Sequence, residues 1–347
     1  LTLFTVMIGS LVDAIGLRLS LLIGFGVCLA ARGVMAFFTA PWFVIPAGLL
    51  PLALGEALMV PVMVAAIKKY ATTAQRSMAF SMFYAMMNVG FAISGYIFDR
   101  VRTELGEYGQ YTLPGAGFSL TTYQTLILLG FLFTIPNLFL VWWGLRDGIE
   151  VDEDGQVKVH KNESKYSEYP VLTAALKSSL DALVEWKRIF TGLWHQPAFY
   201  RFLAFLTLVV GVRLIFYHFH YTFPKYGIRE LGEGAPIGRL FGVLNPVLIV
   251  LLVPLVGALT QRISAYRVVI FGSLIAAVSV FFMAMPPVWF QGLADGPMGD
   301  LIARKWLGVP DSTPVNPLFI SIFLSVITLS VGEAFYSPRL YEYPAAI

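Results

Sequence analysis

Four ionisable residues stand inside long apolar stretches of this chain of 347 residues: Arg32, Glu56, Arg213 and Glu333. A charge at the middle of a bilayer costs about 2.5–3.5 kcal/mol or more, so such groups are usually kept because they act on a solute, an ion or a proton. Two acids and two bases suit reversible proton binding and charge pairing with a polar molecule. At 1.5 Å per helical residue, Arg32 and Glu56 lie about 20 and about 15 Å from the same end of their stretches, close enough to pair. That pair has two readings: a coupling element, or a fixed bridge that holds two helices together. A carboxylate changes its proton affinity when its water and its partners change. Glu333 and Glu56 are therefore candidates to load and release a proton, with Arg32 and Arg213 as their cationic neighbours. Asn88 and Tyr84 bring polar groups to mid-span, where they line a cavity or bond one helix to another. His218 and His220 are two residues apart and do not share a helical face, so they read as interfacial histidines. No metal site, catalytic set or organic cofactor is expected.

The elements that must position these residues follow from composition. Of the chain, 57% is hydrophobic and only 13% charged, where a soluble domain has about 25% charged residues. Even a large soluble domain leaves about a quarter of its chain surface wet, so this much apolar surface calls for lipid. Eight runs have spanning length: Leu19–Phe38, Val44–Ala66, Met78–Phe98, Tyr123–Trp143, Phe202–Phe223, Leu240–Thr260, Val268–Pro286 and Pro317–Pro338. Each is near the ~20 residues a membrane helix needs, and none alternates as the strands of a membrane barrel do. The single Cys28 excludes internal disulfides and cysteine-based metal clusters. A formal net charge of +3 without a basic tract gives no reason to expect nucleic acid. Trp142, Trp143, Trp289 and Phe290 read as aromatic belts at the interfaces.

The long polar stretch between the fourth and fifth runs divides the chain. Residues 1–145 form an N-terminal half, 146–197 a linker and 198–347 a C-terminal half. In the linker, the alternation around Asp154-Gly155 predicts a small hairpin. Leu172, Leu176, Leu180, Leu183 and Ile189 predict an amphipathic helix lying along the membrane surface. One set of loops carries 13 Lys and Arg residues, the linker included, and the opposite set carries 7. The positive-inside rule then places the linker in the cytoplasm of a multi-pass protein of the plasma or inner membrane. Leu1–Ile8 is apolar but too short to span, and the chain stops at Pro344-Ala-Ala-Ile347. Both ends look cut within membrane segments.

A repeat ties the halves together. Gly55-Glu56-Ala57 followed by Pro61 and Gly332-Glu333-Ala334 followed by Pro338 share the pattern Gly-Glu-Ala-x-x-x-Pro, six spans apart. Gly9-Ser-Leu11-Val-Asp13 and Gly257-Ala-Leu259-Thr-Gln261 correspond at the same separation in spans. An even number of spans per repeat keeps both halves in one orientation, with a binding site expected at the midplane between them.

These residues resemble the major facilitator superfamily. Its loop signature Gly-x-x-x-Asp-(Arg/Lys)-x-Gly-(Arg/Lys)-(Arg/Lys) is matched by Gly9, Asp13, Gly16 and Arg18, while Ala14 and Leu17 stand where the family often has a base. The resemblance implies an all-α polytopic membrane protein of two six-helix halves, truncated at both ends, with the eight runs as the third to tenth helices. Within the superfamily the chain looks most like the proton-dependent oligopeptide transporters. Their fifth-helix pattern is met by Phe80, Phe83-Tyr84, Asn88 and Gly90, and their tenth-helix Glu before Ser-Pro by Glu333 and Ser337-Pro338. Val60 stands before Pro61 where that family usually has Lys. The resemblance also implies that Gly9, Asp13, Gly16 and Arg18 form a conformational latch; a plain tight turn would use the same glycines.

The expectation is a secondary active transporter, not an enzyme. It would move a small polar organic solute, with peptides among the candidates, by alternating access, powered by a proton gradient and acting as a monomer in the lipid bilayer. Its rivals are an uncoupled facilitator or exchanger of the same fold and a substrate-sensing receptor that does not transport. No phosphate-binding Gly-x-x-x-x-Gly-Lys-(Ser/Thr) loop is present, nor a His-Glu-x-x-His or Gly-x-Ser-x-Gly motif, which leaves nucleotide hydrolysis and membrane hydrolase chemistry without support.

Overall fold

The computed structural model describes residues 16–342, apart from 114, 116, 147, 153–154, most of 160–190, and 261–262. Each of the eight apolar runs is helical to within a few residues of its ends. The helices are α1 (Leu17–Phe37), α2 (Pro41–Tyr70), α3 (Thr73–Leu105), α4 (Thr122–Gly144), α5 (Pro197–Tyr221), the short α6 (Phe223–Leu231), α7 (Gly238–Leu259), α8 (Ala265–Ala284) and α9 (Leu318–Glu342). Six of them, α1, α2, α4, α7, α8 and α9, are long and apolar enough to cross a membrane. The remaining two of the eight runs form helices of 33 and 25 residues, α3 and α5.

Local chemistry sets the helix ends. Gly16 precedes α1 at φ 86°, a left-handed conformation that side chains resist, and its carbonyl accepts from the Ser20 hydroxyl at 2.6 Å. Pro41 opens α2 at a position where its missing N–H would have no partner anyway. Thr121 and Gln124 close a reciprocal capping box on α4, satisfying two amides that the helix leaves open. Pro61, Pro136, Pro254 and Pro338 all sit inside helices, which a membrane bundle tolerates. π-Helical turns at Ile45–Leu49, Gly238–Val243 and Asp300–Trp306 widen the backbone locally.

The chain separates into two compact units, Leu1–Phe80 with Tyr108–Phe199, and Ser81–Glu107 with Tyr200–Ile347. In the first, α1 packs on α2 and α4 around Leu21, Ala57, Leu58, Val62 and Val141. Phe133, Phe139, Leu140 and Trp143 of α4 remain exposed, an apolar surface that suits lipid rather than water. In the second unit α9 lies centrally, packed on α8 and α7; Ile320, Ile322, Val326 and Leu329 are sealed along it.

Small elements join the helices. β1 (Gln110–Thr112) pairs antiparallel with β2 (Ser119–Thr121) between α3 and α4. β3 (Ile149–Val151) pairs with β4 (Val157–Val159) in the linker, with Ile149 opposite Val159. That second hairpin is the one the alternation predicts, and Gly155 takes φ 77° at its turn. The leucines of the predicted amphipathic helix lie outside the described residues, except Leu180, which is helical and exposed. Between α8 and α9 the chain makes a series of short helical turns over 287–306. Phe290 belongs there to the buried core and not to an interface belt, because the turn at Pro287 folds its ring inward. Trp142, Trp143 and Trp289 are exposed as expected.

Candidate functional site

A sealed polar cluster is built on α9. Glu333 is only 2% exposed, and each carboxylate oxygen accepts from a neutral donor. The Tyr84 hydroxyl of α3 donates to Oε1 at 2.8 Å, and the Asn245 amide of α7 donates to Oε2 at 3.0 Å. Asn245 also donates to the Ser330 hydroxyl at 2.9 Å, and that hydroxyl donates in turn to the Val326 carbonyl one turn below. Arg213 of α5 is close enough to act electrostatically on the Glu333 carboxylate, and its guanidinium lies 6.0 Å from the Phe216 ring centre. Asn88, 3% exposed, donates to the Tyr84 carbonyl at 2.8 Å. This bond returns to its own helix one turn earlier, at the residue that presents its hydroxyl to Glu333.

Three helices distant in sequence thus meet at one carboxylate. Asn245 is a member that the sequence does not single out by motif, although the mid-span rule applied to Asn88 marks it too.

The first unit holds the second cluster. Arg32 of α1 and Glu56 of α2 pair at 3.9 Å, with side chains 27% and 44% exposed. Arg32 also donates to the Thr134 hydroxyl of α4, and Thr134 is buried and donates to the Gly130 carbonyl. A half-exposed pair at that distance contributes little to stability. It keeps both charges accessible, whereas Glu333 is sealed.

Both glutamates follow a glycine at a tight helix crossing. A Cβ at Gly55 would lie 2.8 Å from the Gly24 carbonyl oxygen and 2.6 Å from Cys28 Sγ. A Cβ at Gly332 would lie 2.7 Å from the Gly272 carbonyl oxygen and 2.6 Å from the Ala276 nitrogen. The spacing that relates Gly9 to Gly257 also relates Gly24 to Gly272 and Cys28 to Ala276. The repeat is therefore geometric: a small-xxx-small face on one helix receives the Gly-Glu-Ala turn of the next, a packing that membrane helices use where side chains must not intervene. The partners differ. Val280 stands at the repeat position of Arg32, and Glu333 instead takes neutral donors from α3 and α7.

Of the latch residues, Gly9 and Asp13 lie outside the described residues. Gly16 makes the tight turn before α1, and Arg18 donates to the Trp142 carbonyl while lying 5.0 Å from that indole ring. In the second unit Arg339, just after Pro338, donates to the Thr260 carbonyl at 3.1 Å and ties α9 to the end of α7. His218 Nδ1 bonds the Thr222 hydroxyl and His220 Nδ1 the Phe216 carbonyl, so the two rings have separate partners. Among the described residues no group of three or more histidine, cysteine or acidic side chains is placed to hold a metal.

Long apolar helices carrying sealed polar clusters define a polytopic membrane protein. Residues 1–302 match the family model of the Major Facilitator Superfamily, and the chain belongs to that family. Among solved structures it is similar to the xylose transporter XylE from E. coli in a partially occluded, inward-open conformation. That match has a TM-score of 0.55 and 13% identity, covering 99% of this chain and 72% of the other. It is also similar to a structure concerned with substrate recognition in proton-dependent oligopeptide transporters. There the TM-score is 0.50 and the identity 15%, covering 99% of this chain and 88% of the other. A search of curated proteins found no match. At these identities the likeness establishes the fold.

Proposed function

We propose that this protein is a proton-coupled secondary transporter that moves a small polar organic solute by alternating access, with Glu333 as the proton-binding group. The observation that carries it is the Glu333 cluster: a sealed carboxylate with one donor on each oxygen, held by helices that the repeat assigns to different halves. A charge in that position is stabilised by the hydrogen bonds of Tyr84 and Asn245, with Arg213 near enough to add its field. A proton would release the helices from that arrangement, and their movement would in turn change the proton affinity. Glu56 and Arg32, more exposed, are assigned to solute charge. The similar structures supply the candidate solutes, a peptide first and a pentose second. The linker is assigned to the cytoplasm and the working unit to a monomer.

Purified protein in liposomes tests this. Dialanine and xylose should be offered with and without an imposed proton gradient directed into the liposomes, acid outside. Accumulation that requires the gradient supports coupling, gradient-independent flux supports the facilitator, and binding without flux supports the receptor. Tyr84→Phe removes one hydrogen bond to the carboxylate and keeps the ring. A bond to a charged group is worth about 1.5–3 kcal/mol, so gradient-driven uptake by this variant is expected to fall by about tenfold or more. Uptake at the wild-type rate would remove Tyr84 from the mechanism.

A further inference from the structure

The linker-distal end of the first unit carries aromatic rings and no charge. α4 runs into the linker at its C-terminal end, so its start at Thr122 marks the opposite end of the unit. The end of α1 lies beside that start, because the Gln124 side-chain amide donates to the Ala36 carbonyl at 3.0 Å. The β1–β2 hairpin packs on α4, and its Phe118 meets Phe37 of α1 edge to face, with ring centres 6.0 Å apart. Across the turn from α1 to α2, the Phe43 ring lies edge-on to Phe38 at 5.0 Å and to Trp42 at 5.9 Å. Phe37, Phe38, Tyr111, Phe118 and Tyr123 are exposed, and Trp42 is 80% exposed.

Residues 33–55 and 108–145, which hold both turns, contain no Asp, Glu, Lys or Arg. The turns that follow α5 and α8 in the second unit are charged, with Lys225, Arg229 and Glu230 in one and Asp300, Arg304 and Lys305 in the other.

Neither water nor hydrocarbon suits the uncharged surface. A patch of exposed rings facing water promotes association. Hydrocarbon would strip water from the Tyr111 hydroxyl and from the polar groups of the turns. The layer between them accepts both, since amphipathic rings settle at headgroup level. Several peptide groups of the two turns are already paired. The Leu113 amide donates to the Phe118 carbonyl at 3.2 Å, and the Phe43 and Val44 amides donate to the Ala40 carbonyl at 3.0 and 2.9 Å. The Thr112 and Ser119 hydroxyls bond each other at 3.0 Å. Below Trp42, the side chains of Ile45, Leu49 and Leu50 are exposed on a helix long and apolar enough to cross a membrane. The rings thus stand at the head of a lipid-facing surface.

We infer that the β1–β2 hairpin and the α1–α2 turn form an anchor in the headgroup layer of the linker-distal leaflet, with the bilayer surface as their partner. The contact uses rings and hydroxyls and no charge. Neutral phospholipid therefore suffices, and neither anionic lipid nor salt should alter the contact. The anchor fixes the depth of the first unit in the bilayer. It goes beyond the transporter reading and needs no solute, proton or transport.

Spin labels on the full chain in vesicles of neutral phosphatidylcholine test the anchor. Cys28 is first replaced by alanine, the residue at its repeat position, Ala276. Cys28→Ala then carries Phe38→Cys, Tyr111→Cys or Glu233→Cys, each labelled with a nitroxide. Collision with oxygen, which concentrates in lipid, is compared with collision with a water-soluble nickel chelate. Glu233 is exposed in a charged turn and sets the aqueous reference. Labels at 38 and 111 should favour oxygen severalfold over the label at 233, and the preference should persist with phosphatidylglycerol or added salt. Nickel-dominated collisions at 38 and 111 would place the turns in water and overturn the anchor. Protection from both quenchers would place them under protein and overturn it equally. A preference for oxygen that needs anionic lipid would overturn the uncharged contact. If Cys28→Ala does not fold, wild type and Trp42→Phe are compared in lipid brominated at the top of the acyl chain. Trp42→Phe should lose a quenched component of the fluorescence, and equal quenching of the two proteins would overturn the anchor.

Discussion

Glu333→Gln is expected to abolish accumulation driven by a pH gradient, to the level of empty liposomes, while counterflow exchange of the same solute stays within about threefold of wild type. The substitution keeps side-chain volume, so the crossing at Gly332 and Gly272 is undisturbed. Its carbonyl oxygen can still accept from Tyr84, which donates to Glu333 at 2.8 Å. What it loses is the ability to take up and release a proton, together with the acceptor facing Asn245 at 3.0 Å. A proton step removed from the cycle stops net coupled movement, whereas exchange needs only the loaded carrier to turn over. Retained accumulation by Glu333→Gln would take the residue out of the coupling step. Glu56→Gln provides the contrast. Its carboxylate is 44% exposed and meets Arg32 only at 3.9 Å, so the same change there should alter apparent affinity for the solute more than coupling. The two readouts are affinity at fixed gradient and accumulation at fixed solute.

The spans were legible because lipid imposes one rule on every helix that crosses it: the eight apolar runs are all helical, and among the described residues six helices are long and apolar enough to cross a membrane. The linker hairpin was legible for a local reason, the alternation on both sides of Asp154-Gly155. The hairpin of Gln110–Thr112 with Ser119–Thr121 was not: its strands are equally short, and no Asp-Gly pair marks a turn between them. The site divides in the same way. Arg32 and Glu56 lie on successive helices, and helical rise alone places them within reach. Tyr84, Asn245 and Glu333 come from helices far apart in the chain, and their meeting depends on tertiary packing that spacing does not encode. Asp99 stands one residue beyond the run Met78–Phe98, where no sequence pattern marks it. Only the fold shows it buried against the amides of Gly238 and Arg239.

The glycine crossings carry the second large effect. Gly55→Ala and Gly332→Ala should each destabilise the folded protein by about 1–3 kcal/mol, the range for overpacking a tight interface. Both would appear as a lower thermal midpoint and a loss of monodisperse protein in detergent. In each case the new methyl meets backbone atoms, Gly24 oxygen at 2.8 Å or Gly272 oxygen at 2.7 Å, which no rotamer change can relieve. Gly26→Ala is the control. It lies on α1 beside the first crossing, yet its Cβ would meet nothing within 4 Å; the substitution should be neutral or slightly stabilising, as alanine favours the helix. Gly332→Ala should further reduce coupled uptake, because any shift of α9 away from α8 moves Glu333 relative to Tyr84 and Asn245. Gly55→Ala should instead disturb the Arg32–Glu56 pair, which already has slack at 3.9 Å. Similar losses of stability with unequal losses of coupling are the signature of one packing motif used twice around two chemically different acids. Equal damage from Gly26→Ala would mean that the close backbone approach at the crossings is not what makes these positions intolerant.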